Sequence, residues 1–300
     1  MSSYRGVLLF SAEAAVLSEL EQNLRKNIPN VRTRDLETGI GFFGFVVENN
    51  QVIGLGLPDQ GFDSLSESFG NLVNLQELWL YGNQLNTLPE SFGQLKNLKD
   101  LYLGGNQLQS LPQSFGNLNN LNFLDLSDNQ LCDLPEAICR LTNLQTLNLS
   151  GNHLTSLPET FGQLQNLKEL FLRENQLHSL PESFGQLTLL FELDLSKNRL
   201  DFIPESFSNL SRLRFFTFDK NPLSGTLAIF LHARKGSIPL LYVPDFLLNH
   251  PLIQPLELDS LTLLSNDSCP FCGSMELVTG REKETGKFLT FCVRCENRLQ

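Results

Sequence analysis

Four of the six cysteines fall in two pairs, Cys269-Pro270-Phe271-Cys272 and Cys292-Val293-Arg294-Cys295, with 19 residues between them. A Cys-x-x-Cys pair puts two sulfurs on one tight turn, and two such turns close a tetrahedral four-thiolate site. The chemistry expected is one structural Zn2+ per chain, held by Cys269, Cys272, Cys292 and Cys295. Four protein ligands leave no open position for a catalytic water. Iron in a four-cysteine centre, or a redox dithiol, uses the same residue types and stays open at this point. Gly273 suits its turn because it tolerates positive φ, whereas Glu296 holds the matching place in the second pair.

These ligands need a frame. Met275–Thr279 and Lys287–Phe291 read as strands joined by a polar turn with Gly280 and Gly286, the layout of a zinc ribbon. So small a unit takes its folding free energy from the metal, about 10–16 kcal/mol. Residues 267–300 hold five basic and five acidic side chains, so no phosphate-binding patch is indicated. Gly280–Phe288, GREKETGKF, is not a phosphate loop. Five residues rather than four precede Gly286-Lys287, and Phe288 stands where the Ser/Thr metal ligand belongs. No nucleophile elbow, paired-histidine zinc motif or dinucleotide loop is visible elsewhere, and the chain reads as non-enzymatic. Cys132, Cys139, His153 and His178 are too scattered for a ligand set and read as structural or exposed.

The chain of 300 residues carries 33 Asp+Glu against 22 Lys+Arg, a formal charge of −11. That balance argues against general binding to nucleic acid or anionic membrane, and suits a basic partner. No apolar run reaches the roughly 18 residues of a membrane span. Met1–Leu20 is interrupted by Glu13 and lacks a convincing cleavage site, so it does not read as a secretory signal. The chain is expected in the cytoplasm, with cysteines reduced unless they bind metal. The glycosylation tripeptides at Asn148, Asn209 and Asn266 are then chance matches.

Residues 75–223 repeat one phrase seven times, beginning Leu75, Leu78, Leu80, Asn83, Leu85, Leu88, Pro89, Phe92, Gly93, Leu95 and returning every 23 residues. A faded copy precedes it: Val52, Leu55, Leu57, Gln60, Phe62, Leu65, Phe69, Leu72. This period and pattern are the signature of leucine-rich repeats. Leu78 and Leu80 point to one side of a short strand, and Glu77, Trp79 and Tyr81 to the other. One copy cannot bury its own leucines, so copies stack. The asparagine amide both donates and accepts, and its column can satisfy loop backbone. Phe69, Phe92, Phe115, Phe161, Phe184 and Phe207 are read as a packing spine, interrupted by Ile138. The fold class expected is α/β: a solenoid of about eight repeats with a curved parallel sheet on its concave face. Residues 1–50 form a helix-and-strand cap, with a helix over 11–26, a polar loop over 31–39, a strand over 41–47 and a turn at Glu48-Asn49-Asn50. The array fills 51–223. Residues 224–262, proline-broken yet apolar, are a second cap with a short helix near 225–235. The ribbon occupies 263–300.

The concave side chains fall in three columns. The first runs Gly54, Glu77, Asp100, Phe123, Thr146, Glu169, Glu192, Phe215. The second runs Gly56, Trp79, Tyr102, Asp125, Asn148, Phe171, Asp194, Thr217. The third runs Pro58, Tyr81, Gly104, Ser127, Ser150, Arg173, Ser196, Asp219. Trp79, Tyr81, Tyr102 and Phe123 are expected together on a solvent face, where aromatics anchor protein contacts. Sheet propensity alone also accounts for them. Glu77, Asp100, Asp125, Glu169, Glu192 and Asp194 surround this cluster and would steer a basic partner, or simply form a solvated face. The candidate partner surface comprises these residues with Phe171 and Arg173.

Leu88–Leu95, LPESFGQL, with Asn83-Gln84-Leu85 before it, resembles intracellular leucine-rich repeats of the Ras-group type. Phe45–Leu55, FVVENNQVIGL, is similar to the start of many microbial, especially archaeal, members. The resemblance covers about residues 40–223 and implies a concave face that binds proteins, often small GTPases or signalling enzymes. The reading is a non-enzymatic scaffold that grips a folded protein, with a small GTPase as the best partner class. Rival readings are an adaptor in a ubiquitin-like modification pathway and nucleic-acid binding by the ribbon.

Overall fold

The computed structural model describes residues 1–31, 42–218 and 220–222, and the backbone of 277–281 and 288–292. Asp219, residues 224–262 with their expected helix, and Cys269, Cys272 and Cys295 lie outside the described residues, as does most of the predicted 31–39 loop.

Strands β1 (Ser2–Tyr4) and β2 (Val7–Leu9) pair antiparallel about Arg5-Gly6, both at positive φ. Helix α1 (Ser11–Leu24) follows and buries Val16, Leu17 and Leu20. It stops two residues short of the expected end because Arg25 turns left-handed, at φ 52°, and its N–H bonds the Gln22 carbonyl. Strands β3 (Gly44–Glu48) and β4 (Gln51–Gly56) form an antiparallel hairpin. Asn49 and Asn50 both take positive φ at its turn, which asparagine tolerates. The outer edge of β3 is covered at Phe45 by a bridge from Asn30, which protects that part of the sheet's edge.

From β4 the strands run parallel: β5 (Glu77–Trp79), β6 (Asp100–Tyr102), β7 (Phe123–Asp125), β8 (Thr146–Asn148), β9 (Glu169–Phe171), β10 (Glu192–Asp194) and β11 (Phe215–Thr217). The sheet has nine strands in sequence order. The register of the parallel strands is unshifted, the one irregularity lying between Val46 and Val47 of β3: Glu77 lies beside Asp100, Asp100 beside Phe123, and so on to Phe215. An equal repeat length places equivalent residues in straight rows. The leucine-rich repeat solenoid expected from the period is what the chain forms.

Behind the sheet lies the core. Leu78, Leu80, Leu101, Leu103, Leu124 and Leu126 are fully buried. The opposite wall is a series of short 3-10 turns such as Glu90–Gln94, five of them entered through an extended proline such as Pro89 at φ −68°. Their phenylalanines stack at 6.0–6.1 Å, from Phe69 to Phe115 and again from Phe161 to Phe207. Ile138 interrupts the stack, as the sequence implied. The glycine that follows every spine phenylalanine but Phe207 has a cause: a Cβ on Gly93 or Gly116 would strike the backbone of the next repeat, at Ser114 and Ala137. Cys139 stands in for that glycine and is buried, and the adjoining turn shortens to Phe161–Gln163.

The asparagine column does what its chemistry suggests. Asn129 accepts from the Leu108 N–H at 2.9 Å and donates to the carbonyls of Leu103 at 3.0 Å and Leu126 at 3.1 Å. Asn106, Asn152, Asn175 and Asn198 repeat the arrangement. A second column was not anticipated: Asn97, Asn120, Asn143 and Asn166 each donate to a carbonyl of the preceding repeat at 2.7–2.9 Å.

Strands β12 (Leu277–Arg281) and β13 (Phe288–Cys292) form a separate antiparallel pair. They begin one or two residues later than the sequence suggested. Cys292 ends β13 opposite Leu277, the first residue of β12.

Candidate protein-docking face

One face of the nine-stranded sheet packs on the leucines. The other carries the three columns, and strand alternation dictates which residues stand on it. Among the described residues nothing packs over this face from β6 to β10. The first strands are different. A Cβ on Gly56 would strike the carbonyl of Phe42, so the chain entering β3 lies directly on β4. The Phe42 ring meets Trp79 edge-on at 5.0 Å.

This overturns the expected exposure of Trp79. Its side chain leaves the sheet on the predicted side, yet it is 2% exposed. Phe42 covers one side and Tyr102 stacks on the ring at 5.2 Å with 4° between planes. Tyr102 in turn lies 4.7 Å from Phe123. The aromatics form one continuous slab across β5 to β7, sealed at Trp79 and half-exposed at Tyr102 and Phe123. Tyr81 and Phe171 are half-exposed too, the latter on β9, two strands beyond Phe123. The glycine at 56, where the other repeats have a side chain, was the signal that another segment crosses there.

Glu77, Asp100, Asp125, Glu169, Glu192 and Asp194 are all partly buried on this face. They are not the freely solvated carboxylates one expects of a bland surface. Burial, then the neighbouring Asp100, pushes Glu77 up to about 7, against a weaker pull from Lys99. Burial raises Asp100 as well. Glu192 is raised by burial, then by Glu169 and Asp194. The Tyr102 hydroxyl is pushed up to about 12 by burial, then by Asp100, Glu77 and Asp125.

None of these six carboxylates has an ion pair among the described residues. Arg173, the one cation in the columns, pairs with Glu174 at 3.2 Å rather than with them. Glu174 also takes Lys197. Asp125 accepts the Ser127 N–H at 3.0 Å, and its Oδ2 fills space that a Cβ on Gly104 would need, at 2.9 Å. Asp194 accepts the Ser196 N–H and the Thr217 hydroxyl. Glu169 accepts the Thr146 hydroxyl at 3.0 Å. Among the described residues no hydrogen bond or ion pair holds the Glu77 or Asp100 side chain.

Among the described residues no cluster of histidine, cysteine and carboxylate could hold a metal. Cys132 is exposed and Cys139 buried, both as free thiols. Burial raises Cys139 above the usual thiol range, which disfavours a reactive thiolate. No described helix is long and apolar enough to cross a membrane.

A leucine-rich repeat region family matches residues 109–220, and a family of two-copy leucine-rich repeats matches residues 73–114. No curated protein matches the chain. Among solved structures, a leucine-rich repeat protein of Leptospira interrogans is 26% identical, covering 82% of this chain and 74% of that one at a TM-score of 0.49. The crystal structure of PEPR1–AtPEP1 is 31% identical over 60% of this chain, at a TM-score of 0.54. The match takes in 26% of that chain, about a quarter of its length.

Proposed function

We propose that this leucine-rich repeat array is a non-enzymatic scaffold that docks a folded protein on its open sheet face. The observation that carries the reading is the half-exposed slab of Tyr102 and Phe123, ringed by carboxylates that have no ion pair among the described residues. Aromatic anchors inside a rim of unpaired charge are what a protein interface needs. The neighbour PEPR1–AtPEP1 is by its name a complex, which supports the same use of the fold. With Trp79 sealed, the anchors are Tyr102, Phe123, Tyr81 and Phe171, and Trp79 supports them from beneath. Replacing both rings, Tyr102→Ala with Phe123→Ala, is expected to abolish partner recovery in a pull-down while leaving the fold intact. Undiminished recovery would reject the face as anchor. A small GTPase is the partner class proposed, on the resemblance to Ras-group repeats alone, and the cytoplasm is the compartment.

The C-terminal cysteines are proposed to hold one structural Zn2+ as a second module. The antiparallel pair β12–β13 supports this, because it sets Cys292 at the open end of a hairpin, next to the strand that follows Cys269 and Cys272 in sequence.

A further inference from the structure

The acidic residues of the open face are not spread evenly. In the first row the order from β5 to β10 is Glu77, Asp100, Phe123, Thr146, Glu169, Glu192, in unshifted register. Two carboxylate pairs therefore bracket an uncharged centre. Strands about 4.8 Å apart put the midpoints of the pairs about 19 Å from each other. An extended polypeptide advances about 3.3 Å per residue, so residues i and i+6 are about 20 Å apart. Being an even number apart, they also point to the same side. With residue i over Glu77 and Asp100, residue i+2 falls over the Phe123 ring.

We propose that the face recognises an extended segment with basic residues at i and i+6 and an apolar residue at i+2. The proposal rests on the open face being a docking surface, and adds which chemistry docks there and in what spacing. Charge complementarity selects the occupant: both pairs are half-buried, and among the described residues neither has an ion pair, Lys99 acting on Glu77 and Asp100 without pairing with them. A guanidinium or ammonium seated between paired carboxylates removes their mutual repulsion, which like charges on adjacent strands otherwise keep. One row over, Asp194 on β10 adds to the second end, and Asp125 stands on β7 beside Phe123.

The test uses the full chain and fluorescein-labelled synthetic peptides in anisotropy titrations at low salt. Three peptides carry two arginines at i and i+6, i and i+5, or i and i+3, with leucine at i+2 and otherwise alternating serine and alanine. The i,i+6 peptide is expected to bind at least tenfold tighter than the others. Glu77→Gln with Asp100→Asn, and separately Glu169→Gln with Glu192→Gln, should each remove that advantage. These amides keep size and, at Glu169, the acceptor for Thr146. Equal binding of the three peptides, no binding by any, or a preference unchanged in both variants would overturn the proposal. If the spacing preference fails while Tyr102→Ala with Phe123→Ala still abolishes partner recovery, the docking face stands and its basic, spaced occupant does not.

Discussion

Trp79 leaves the sheet on the side its strand position dictates, but the surface it meets is set by a residue 37 positions earlier. Alternation along β5 fixes the first of these facts, and no local pattern reports the second. Only the missing side chain at Gly56 betrays the crossing of Phe42. As the sole tryptophan, Trp79 reports its own environment. Blue-shifted emission and poor quenching by iodide are expected, and emission like that of free indole would contradict the packing. Glu77 supplies a second check. Its carboxyl, about 7 in the fold against an ordinary value of 4.5, holds its proton more tightly folded than unfolded. The folded chain therefore binds more protons between those values, and this group's contribution to stability rises as pH falls from 8 toward 5. Asp100, Lys99 and Tyr102 are the charged or titratable groups around it. Glu77→Gln should be more stable than the parent at pH 8 by about 1 kcal/mol, allowing for solvent screening of a partly exposed group. The gain should vanish near pH 5, as read by urea unfolding at both pH values.

At the scale of elements, the period wrote most of the structure. Eight parallel strands in straight register follow from one phrase returning every 23 residues, because each copy completes its core only against the next. The asparagine column was legible for a related reason: a residue that both donates and accepts, placed at the strand exit, can close a loop its own backbone cannot. Asn129→Ala should leave the Leu108 N–H and the carbonyls of Leu103 and Leu126 short of a partner, costing about 3 kcal/mol in urea unfolding. A loss below about 0.5 kcal/mol would show that water satisfies these groups instead. The Asn97 column was not legible. Asparagine is common on exposed loops, and nothing in its spacing told a ladder from a solvated rim. The 3-10 turns were anticipated only as an outer arc, since the Leu-Pro step fixes φ without saying how tightly the chain then coils.

For the whole molecule, the array and the cysteine pairs are two pieces of chemistry on one chain. The first is held by repetition and the second, on the proposal made above, by metal. Purified protein is expected to contain about one zinc per chain. Cys272→Ser should lose it without changing the main urea transition of the repeats, whereas metal analysis that finds neither zinc nor iron would reject the assignment. Charge ties the molecule to its function more directly. A chain at −11 that concentrates half-buried carboxylates, without ion pairs among the described residues, around half-exposed rings keeps an energetic cost that a bound cation would relieve. The most direct measurement is the affinity of a purified partner, captured with the parent chain, for three forms of this protein: the parent, Tyr102→Ala with Phe123→Ala on the open face, and Gln165→Ala on the exposed turn side. The open-face pair should weaken binding by at least tenfold and leave the unfolding curve in place, and Gln165→Ala should change nothing. Equal affinity for all three, or a loss confined to Gln165→Ala, would contradict the account.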